Sequence, residues 1–286
     1  MRHLRCLVLA IGAAILAVPS PGLAQQPAAW SEPAPPFRVT DGVFYVGTTG
    51  LASYLIVSGR EAILLDATLN DNVPAIEANI RALGFELTDV KFIINSHAHF
   101  DHAAGTAALK KSTGAKVAIM SGDVSAMEKG RHEGDNVHGV GRMPTVKVDQ
   151  VLADGDSVSV GDVRLTAVLT AGHSKGCTTW WGDLPDAGTT RRVVFPCSLT
   201  VAGNVLVGNK AYPGIVEDYR RSFDRLDGMQ ADIVLTAHPE FSDIFGRRDR
   251  GDAGDAEAFV DTGALKRLVD KARQAFDKDL AKARAK

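Results

Sequence analysis

From residue 37 onward, apolar and polar positions fall into short runs that switch between two periods. Residues 37–46, 53–57 and 62–66 are rich in β-branched and aromatic side chains and end at glycine or charged turns, which predicts strands. Residues 72–83 change period: Val73, Ile76, Ile80 and Leu83 are spaced as one helical face, with Pro74 suited to a first turn. The order then repeats, with a buried strand at 90–95, a helix at 103–111, a strand at 117–120 and a short helix before Gly130. Residues 133–144 carry glycines and polar side chains without periodicity and read as a surface loop. A β-rich half follows, with strands at 150–152, 157–160, 163–169, 178–181 and 192–195. Helix 216–226, strand 233–236 and an amphipathic helix from about residue 255 close the chain, the last with Phe259, Leu265, Leu268, Val269, Ala272, Phe276 and Leu280 on one face. VKFIINSH and ADIVLTAH echo one another, each a buried strand running into histidine. Two sheets face to face with helices outside, an α/β fold of the αββα sandwich type, is the expected architecture.

The N-terminal end departs from these patterns. Arg2 and Arg5 precede an apolar stretch over 6–18, and Gly22-Leu23-Ala24 offers small residues where a signal peptidase reads. Residues 1–24 therefore read as a signal peptide cut after Ala24, too short for the roughly 18 to 20 apolar residues of a membrane span. The expected location is the periplasm, with no membrane attachment of the mature chain. Residues 25–286 read as one domain whose first residues, 25–36 (QQPAAWSEPAPP), form an extended N-terminal arm, with Trp30 packing on the rest. The chain has 286 residues and a net charge of −2, which becomes −4 without Arg2 and Arg5, so nothing electrostatic points to nucleic acid. A small-molecule partner and a monomeric state are the expectation. After cleavage only Cys177 and Cys197 remain, too few for a disulfide framework.

The chemistry concentrates in INSHAHFDHAAG, where His97, His99, Asp101 and His102 take three of the chain's eight histidines. Beyond an extended strand alternate residues share a side, which groups His97, His99 and Asp101, while His102 turns elsewhere as a helix begins. Imidazoles and a carboxylate without thiolate suit a zinc-like ion kept open for catalysis. His173, in TAGHSKGC, and His238, in LTAHPE, follow later strands and supply further ligands. His132 and His138 lie in the polar loop and read as solvated.

These motifs, His-x-His-x-Asp-His followed by GHS and a late strand-end histidine, resemble the metallo-β-lactamase superfamily across nearly all of the mature chain. The resemblance implies two zinc ions per chain, one held by His97, His99 and His173, the other by Asp101, His102 and His238. Thioesterases of the glyoxalase II type, lactonases and phosphodiesterases of this superfamily have a bridging aspartate where FPCSLT places Ser198. Serine there, His102 in place of arginine or serine, the export signal and SLTVAGN with a later YP are similar to subclass B3 metallo-β-lactamases. The implied activity is zinc-dependent hydrolysis of the β-lactam amide bond of penicillins, cephalosporins and carbapenems. In it Asp101 both ligates and orients the nucleophile, and Ser198 and Thr200 donate to the substrate carboxylate. A lactone or thioester hydrolase, and a non-catalytic zinc-binding protein, are the alternatives.

Cys197 precedes Ser198 and reads as a small buried side chain rather than a ligand. Cys177 and Cys197 are symmetric about Ala187, so a simple hairpin sets them opposite one another. Directly opposed strand positions often fit a disulfide poorly, which leaves their pairing open.

Overall fold

The computed structural model describes residues 26–138 and 141–285, and strand alternation within it decides the architecture. The segment read as a signal peptide, with its cleavage point at Ala24, lies outside the described residues. The first sheet has seven strands in chain order: β1 (Phe37–Thr40), β2 (Val43–Tyr45), β3 (Tyr54–Ser58), β4 (Glu61–Leu65), β5 (Val90–Ile94), β6 (Lys116–Met120) and β7 (Gln150–Leu152). Its first four strands are an antiparallel meander and its later pairs are parallel, so the connections must cross over and bring helices with them. Those are α1 (Val73–Ala82), then α2 (Phe100–Ala103) with α3 (Thr106–Thr113), then α4 (Ser121–Lys129). The second sheet has five strands, β8 (Ser157–Val160), β9 (Val163–Leu169), β10 (Thr178–Asp186), β11 (Thr189–Phe195) and β12 (Ile233–Val234), the last reached through α5 (Ile215–Asp227). Helices α6 (Ile244–Asp252) and α7 (Ala264–Arg284) complete the chain.

The two-residue period sorts side chains into layers. In β4, Ile63 and Leu65 enter the cluster between the sheets, with Tyr45, Tyr54, Ile56, Trp180, Val193 and Phe195. Ala62 and Leu64 face the other way, onto α1 through Ile76 and Ile80 and onto α3 through Leu109. In the second sheet Val194 and Val234 turn outward onto Tyr219 and Phe223 of α5 and Val269 and Phe276 of α7. Three apolar layers thus separate four layers of structure, the expected αββα sandwich.

Four details differ from the pattern-based expectation. Helix 103–111 is two pieces broken at Gly105, whose N–H donates to the Thr68 carbonyl at 3.0 Å and where a Cβ would collide with the Ala67 carbonyl. The terminal helix begins at Ala264, nine residues late, and Phe259 belongs to the cluster between the sheets. Helix α6 has no apolar stripe to announce it, since only Ile244 and Arg247 are buried. Strands β10 and β11 run on to Asp186 and Thr189 through polar positions braced by an Asp183–Arg192 ion pair at 2.9 Å.

That hairpin also resolves the cysteines. Its register pairs Trp180 with Phe195, so extension sets Cys177 opposite Ser198 and leaves Cys197 one position out. The offset suits a disulfide, and Cys177 and Cys197 are bonded with their Cα atoms 5.7 Å apart. Neither sulfur is then a thiolate for a metal.

Candidate metal centre

Three strand exits deliver the histidines to one rim of the sandwich. Beyond β5 the chain leaves the sheet through Asn95 to Ala98, bending at Ser96, and His99 is the N-cap of α2 with φ −97° and ψ 154°. The helical turn, not continued alternation, places Asp101 and His102. His173 follows β9 in a turn where Gly172 has φ +141° and rests on the Tyr219 ring, which a Cβ would strike at 2.7 Å. The Tyr219 hydroxyl donates to the Thr200 carbonyl at 2.7 Å, tying that turn to α5. His238 stands four residues past β12, as N-cap of a 3-10 turn over Pro239–Ser242.

Their ring nitrogens converge. Nε2 of His97 is 3.0 Å from Nε2 of His173, and Nε2 of His102 is 3.2 Å from Nε2 of His238. Asp101 Oδ2 lies 3.2 Å from His102 Nε2 and 3.5 Å from His238 Nε2. Ligand atoms of His97, His99 and His173 lie within 4.8 Å of one another, as do those of His97, Asp101 and His102. The far nitrogens of His97 and His173 are tethered, which fixes their tautomers. His97 Nδ1 faces Ser96 Oγ at 3.0 Å, and that hydroxyl donates to Asp66 Oδ2 at 2.7 Å, so Nδ1 carries the proton and Nε2 the lone pair. His173 Nδ1 donates to the Thr200 carbonyl at 2.7 Å, again freeing Nε2. His102 Nδ1 is buried 3.6 Å from Asp66 Oδ2, without a hydrogen-bond partner among the described residues. Lone pairs aimed at one another in a buried pocket repel unless a cation lies between them. The donor set of imidazoles and one carboxylate fits zinc.

Electrostatics agree with that fit. Burial, helped by neighbouring histidines, holds His97 and His99 well below the usual imidazole range. Burial also brings His173 down to about 4, against the opposing pull of the Thr200 carbonyl. All three are neutral near pH 7, as ligands must be. Burial alone would raise the Asp101 carboxyl, but the charge and hydrogen bond of His102, with His238 beside it, hold it well below its usual range. Burial likewise opposes charge on His102, yet Asp101 and Asp66 outweigh it and lift the imidazole to about 10.

All six expected ligands therefore meet at one rim. Ser198 and Thr200 lie beside them: their hydroxyls are 3.0 Å apart, and Thr200 Oγ1 is 3.5 Å from His173 Nδ1. An apolar cleft of about 120 Å³ opens there, lined by Ser198, Thr200, His238, Phe241, Leu268 and Lys271 among others. The N-terminal arm is less extended than expected, with a 3-10 turn at Ala28–Trp30, and Trp30 packs on Phe100 and His238 with ring centroids 6.2 and 5.7 Å away. His138 is exposed as expected, but His132 is not simply solvated: it is half-buried with Nδ1 2.7 Å from His99 Nε2.

Sequence reasoning missed two supporting carboxylates. Asp66 sits just beyond β4 with φ +63° and also accepts the Ser96 N–H at 2.7 Å. An acidic residue ending an apolar run, as in AILLD, was the only available signal. Asp123 is buried and accepts from Ala98 N at 2.8 Å, Ser174 Oγ at 2.7 Å and Gly176 N at 2.8 Å, locking the loops of His97 and His173 together. Nothing in SGDVS announces that role.

A four-layer αββα sandwich with a histidine-rich metal centre where its halves meet defines a class of metal-dependent hydrolases. The family model described as the metallo-beta-lactamase superfamily matches residues 47–238, and the chain belongs to that superfamily. Among solved structures it is similar to BJP-1 of Bradyrhizobium japonicum, a subclass B3 metallo-β-lactamase, at 40% identity and a TM-score of 0.85, covering 90% of this chain and 98% of that one. It is also similar to the FEZ-1 metallo-β-lactamase from Legionella gormanii, at 39% identity and a TM-score of 0.84, covering 90% of this chain and 99% of that one. Among curated relatives, a hydroxyacylglutathione hydrolase of Rhodospirillum rubrum is 27% identical over 36% of this chain, and the chain spans only 32% of that relative's length.

Proposed function

We infer that the chain is a zinc-dependent β-lactamase of the subclass B3 kind, opening the amide bond of penicillins, cephalosporins and carbapenems and so conferring resistance. The observation that carries this reading is the chemistry of the segment beside the histidines. It presents the hydroxyls of Ser198 and Thr200, with Lys271 lining the same cleft, rather than a carboxylate. Donors suit an anionic bicyclic lactam, whereas an aspartate at position 198 would repel its carboxylate.

In this reading His97, His99 and His173 hold one zinc ion, and Asp101, His102 and His238 the other. When bound, the pair supplies a water ionisable near neutral pH and a Lewis acid toward the carbonyl. Asp101 is ionised across the working range. Its Oδ2 faces His102 and His238, leaving Oδ1 to accept a hydrogen bond from the attacking water and orient it. Ser198, Thr200 and Lys271 bind the carboxylate, which sets where the amide lies. The apolar wall of Phe241, Leu268 and Ala272 takes a substituent and excludes water around it. The mature chain, freed of residues 1–24, acts in the periplasm as a monomer; protein from the cell envelope begins at Gln25.

A second reading, thioester hydrolysis, is favoured by the hydroxyacylglutathione hydrolases among the curated relatives. The purified, zinc-loaded mature chain is assayed on a chromogenic cephalosporin, a carbapenem and a glutathione thioester, with and without chelator. The expected result is β-lactam opening that chelation abolishes and serine-directed inhibitors leave alone. Efficient thioester hydrolysis with every β-lactam left intact would reverse the order of the two readings.

A further inference from the structure

Each histidine that binds a metal through one ring nitrogen needs something to hold the other. For His97 it is a hydroxyl, for His173 a backbone carbonyl, and for His102 the Asp66 carboxylate nearby. His99 differs: its Nε2 is met at 2.7 Å by Nδ1 of another imidazole, that of His132, with the rings 4.4 Å apart and 70° inclined. We propose that His132 is a positioning residue for His99, accepting the Nε2–H of His99 at Nδ1 and thereby presenting His99 Nδ1 to the metal.

The protons allow one arrangement. With Nε2 of His99 engaged in this bond, Nδ1 is the nitrogen left to join the ligand atoms of His97 and His173. A metal-bound Nδ1 has no proton, so a neutral His99 carries its proton on Nε2 and donates it. His132 must then accept at Nδ1 and carry its own proton on Nε2.

The loop is built to hold that ring in place. Arg131 N donates to the Ala126 carbonyl at 3.1 Å and Met143 N to the Gly130 carbonyl at 3.0 Å, closing the base of the loop on α4. Further along, Val137 N donates to the Gly203 carbonyl at 2.9 Å and Asn136 Nδ2 to the Ala202 carbonyl at 2.8 Å, which ties it to the other half of the molecule. Gly134 leaves room for the imidazole, since a Cβ there would stand 3.0 Å from His132 Nε2. His132 Nε2 is buried with no partner among the described residues, so Nδ1 makes the ring's hydrogen bond.

The inference rests on the metal reading above and predicts more than that reading does. The metal-free full-length mature protein is titrated with zinc against a chromophoric chelator, and the visible spectrum of its cobalt(II) form is recorded. His132→Ala is expected to weaken one of the two binding steps by about 10- to 100-fold and to shift the cobalt bands. His132→Asn, whose Oδ1 stands where Nδ1 was, is expected to recover affinity and spectrum, while His132→Gln, with its acceptor one bond further out, is not. Wild-type affinity and spectrum in His132→Ala would overturn the proposal, and so would an Asn variant no better than Ala. A wild-type protein that takes up neither zinc nor cobalt would instead remove the metal reading itself, and this inference with it.

Discussion

At the scale of single residues, the residues proposed to hold metal are not in one protonation state before it arrives. His97, His99 and His173 are held neutral by burial, whereas His102 is lifted to about 10 by Asp101 and Asp66 despite its burial. A ligand imidazole must be neutral, so between pH 7 and 9 metal binding expels the His102 proton. Zinc binding to the metal-free protein at pH 8 should therefore release one proton more in the wild type than in His102→Asn. Calorimetry in two buffers of different ionisation enthalpy measures this, and equal release would refute the charged His102. By the same sign, affinity at that site rises with pH until His102 is neutral. His97, His99, Asp101 and His102 were legible because a strand exit and one helical turn bring close sequence neighbours together. Asp66, Asp123, Tyr219 and His132 were not, because each acts through a contact made by folding, and a lone carboxylate or histidine looks the same in any polar loop.

At the scale of elements, the hairpin of β10 and β11 carries Ser198 and Thr200 at its far end, with the Cys177–Cys197 bond closing it. The bond encloses a separation of 20 residues, which in the chain-entropy picture is worth about 3 kcal/mol. Cys177→Ser should lower the melting temperature accordingly while the protein still binds zinc with unchanged stoichiometry. Loss of metal together with the disulfide would mean that the sulfurs contribute more than closure. The N-terminal arm bears on the opposite side of the site. The Trp30 carbonyl accepts from Asn72 Nδ2 at 2.9 Å and Thr48 Oγ1 at 3.2 Å, holding the indole against Phe100 and His238. Trp30→Ala should loosen His238 and weaken one zinc step several-fold, and equal titration curves for variant and wild type would show the indole to be mere cover. Strands with clean alternation were legible, whereas α6 and the outer half of the hairpin were not. Their polar residues are ordered by ion pairs and by tertiary contacts such as Arg247 with the Phe259 carbonyl at 2.9 Å, which leave no period in the sequence.

At the scale of the whole molecule, the echo of VKFIINSH and ADIVLTAH made two halves and a shared rim legible, though not which strands pair. The ligands proposed above come from both halves, His97 to His102 from the first and His173 and His238 from the second, so bound metal would be a cross-brace between layers. At free zinc about a thousandfold above the dissociation constant, such binding adds about 4 kcal/mol to stability, so chelation should lower the melting temperature by roughly 10 °C. The chelated protein should also show a particular pH dependence. The folded-state pKa of His173, about 4, lies below its unfolded value near 6.5, so the unfolded chain takes up its proton first. The stability it contributes is present above pH 6.5 and lost as pH falls toward 4, and the depressed His97 and His99 add in the same direction. His102 has the opposite sign: its folded-state value of about 10 makes its contribution full below pH 6.5 and lost as pH rises through 10. The metal-free protein should therefore be most stable near pH 6.5, declining on both sides, and a series of thermal melts from pH 4 to 10 in chelator checks this. Steadily rising stability toward acid would mean that the buried histidines are protonated in the fold, contradicting the neutral three-histidine cluster on which zinc binding depends.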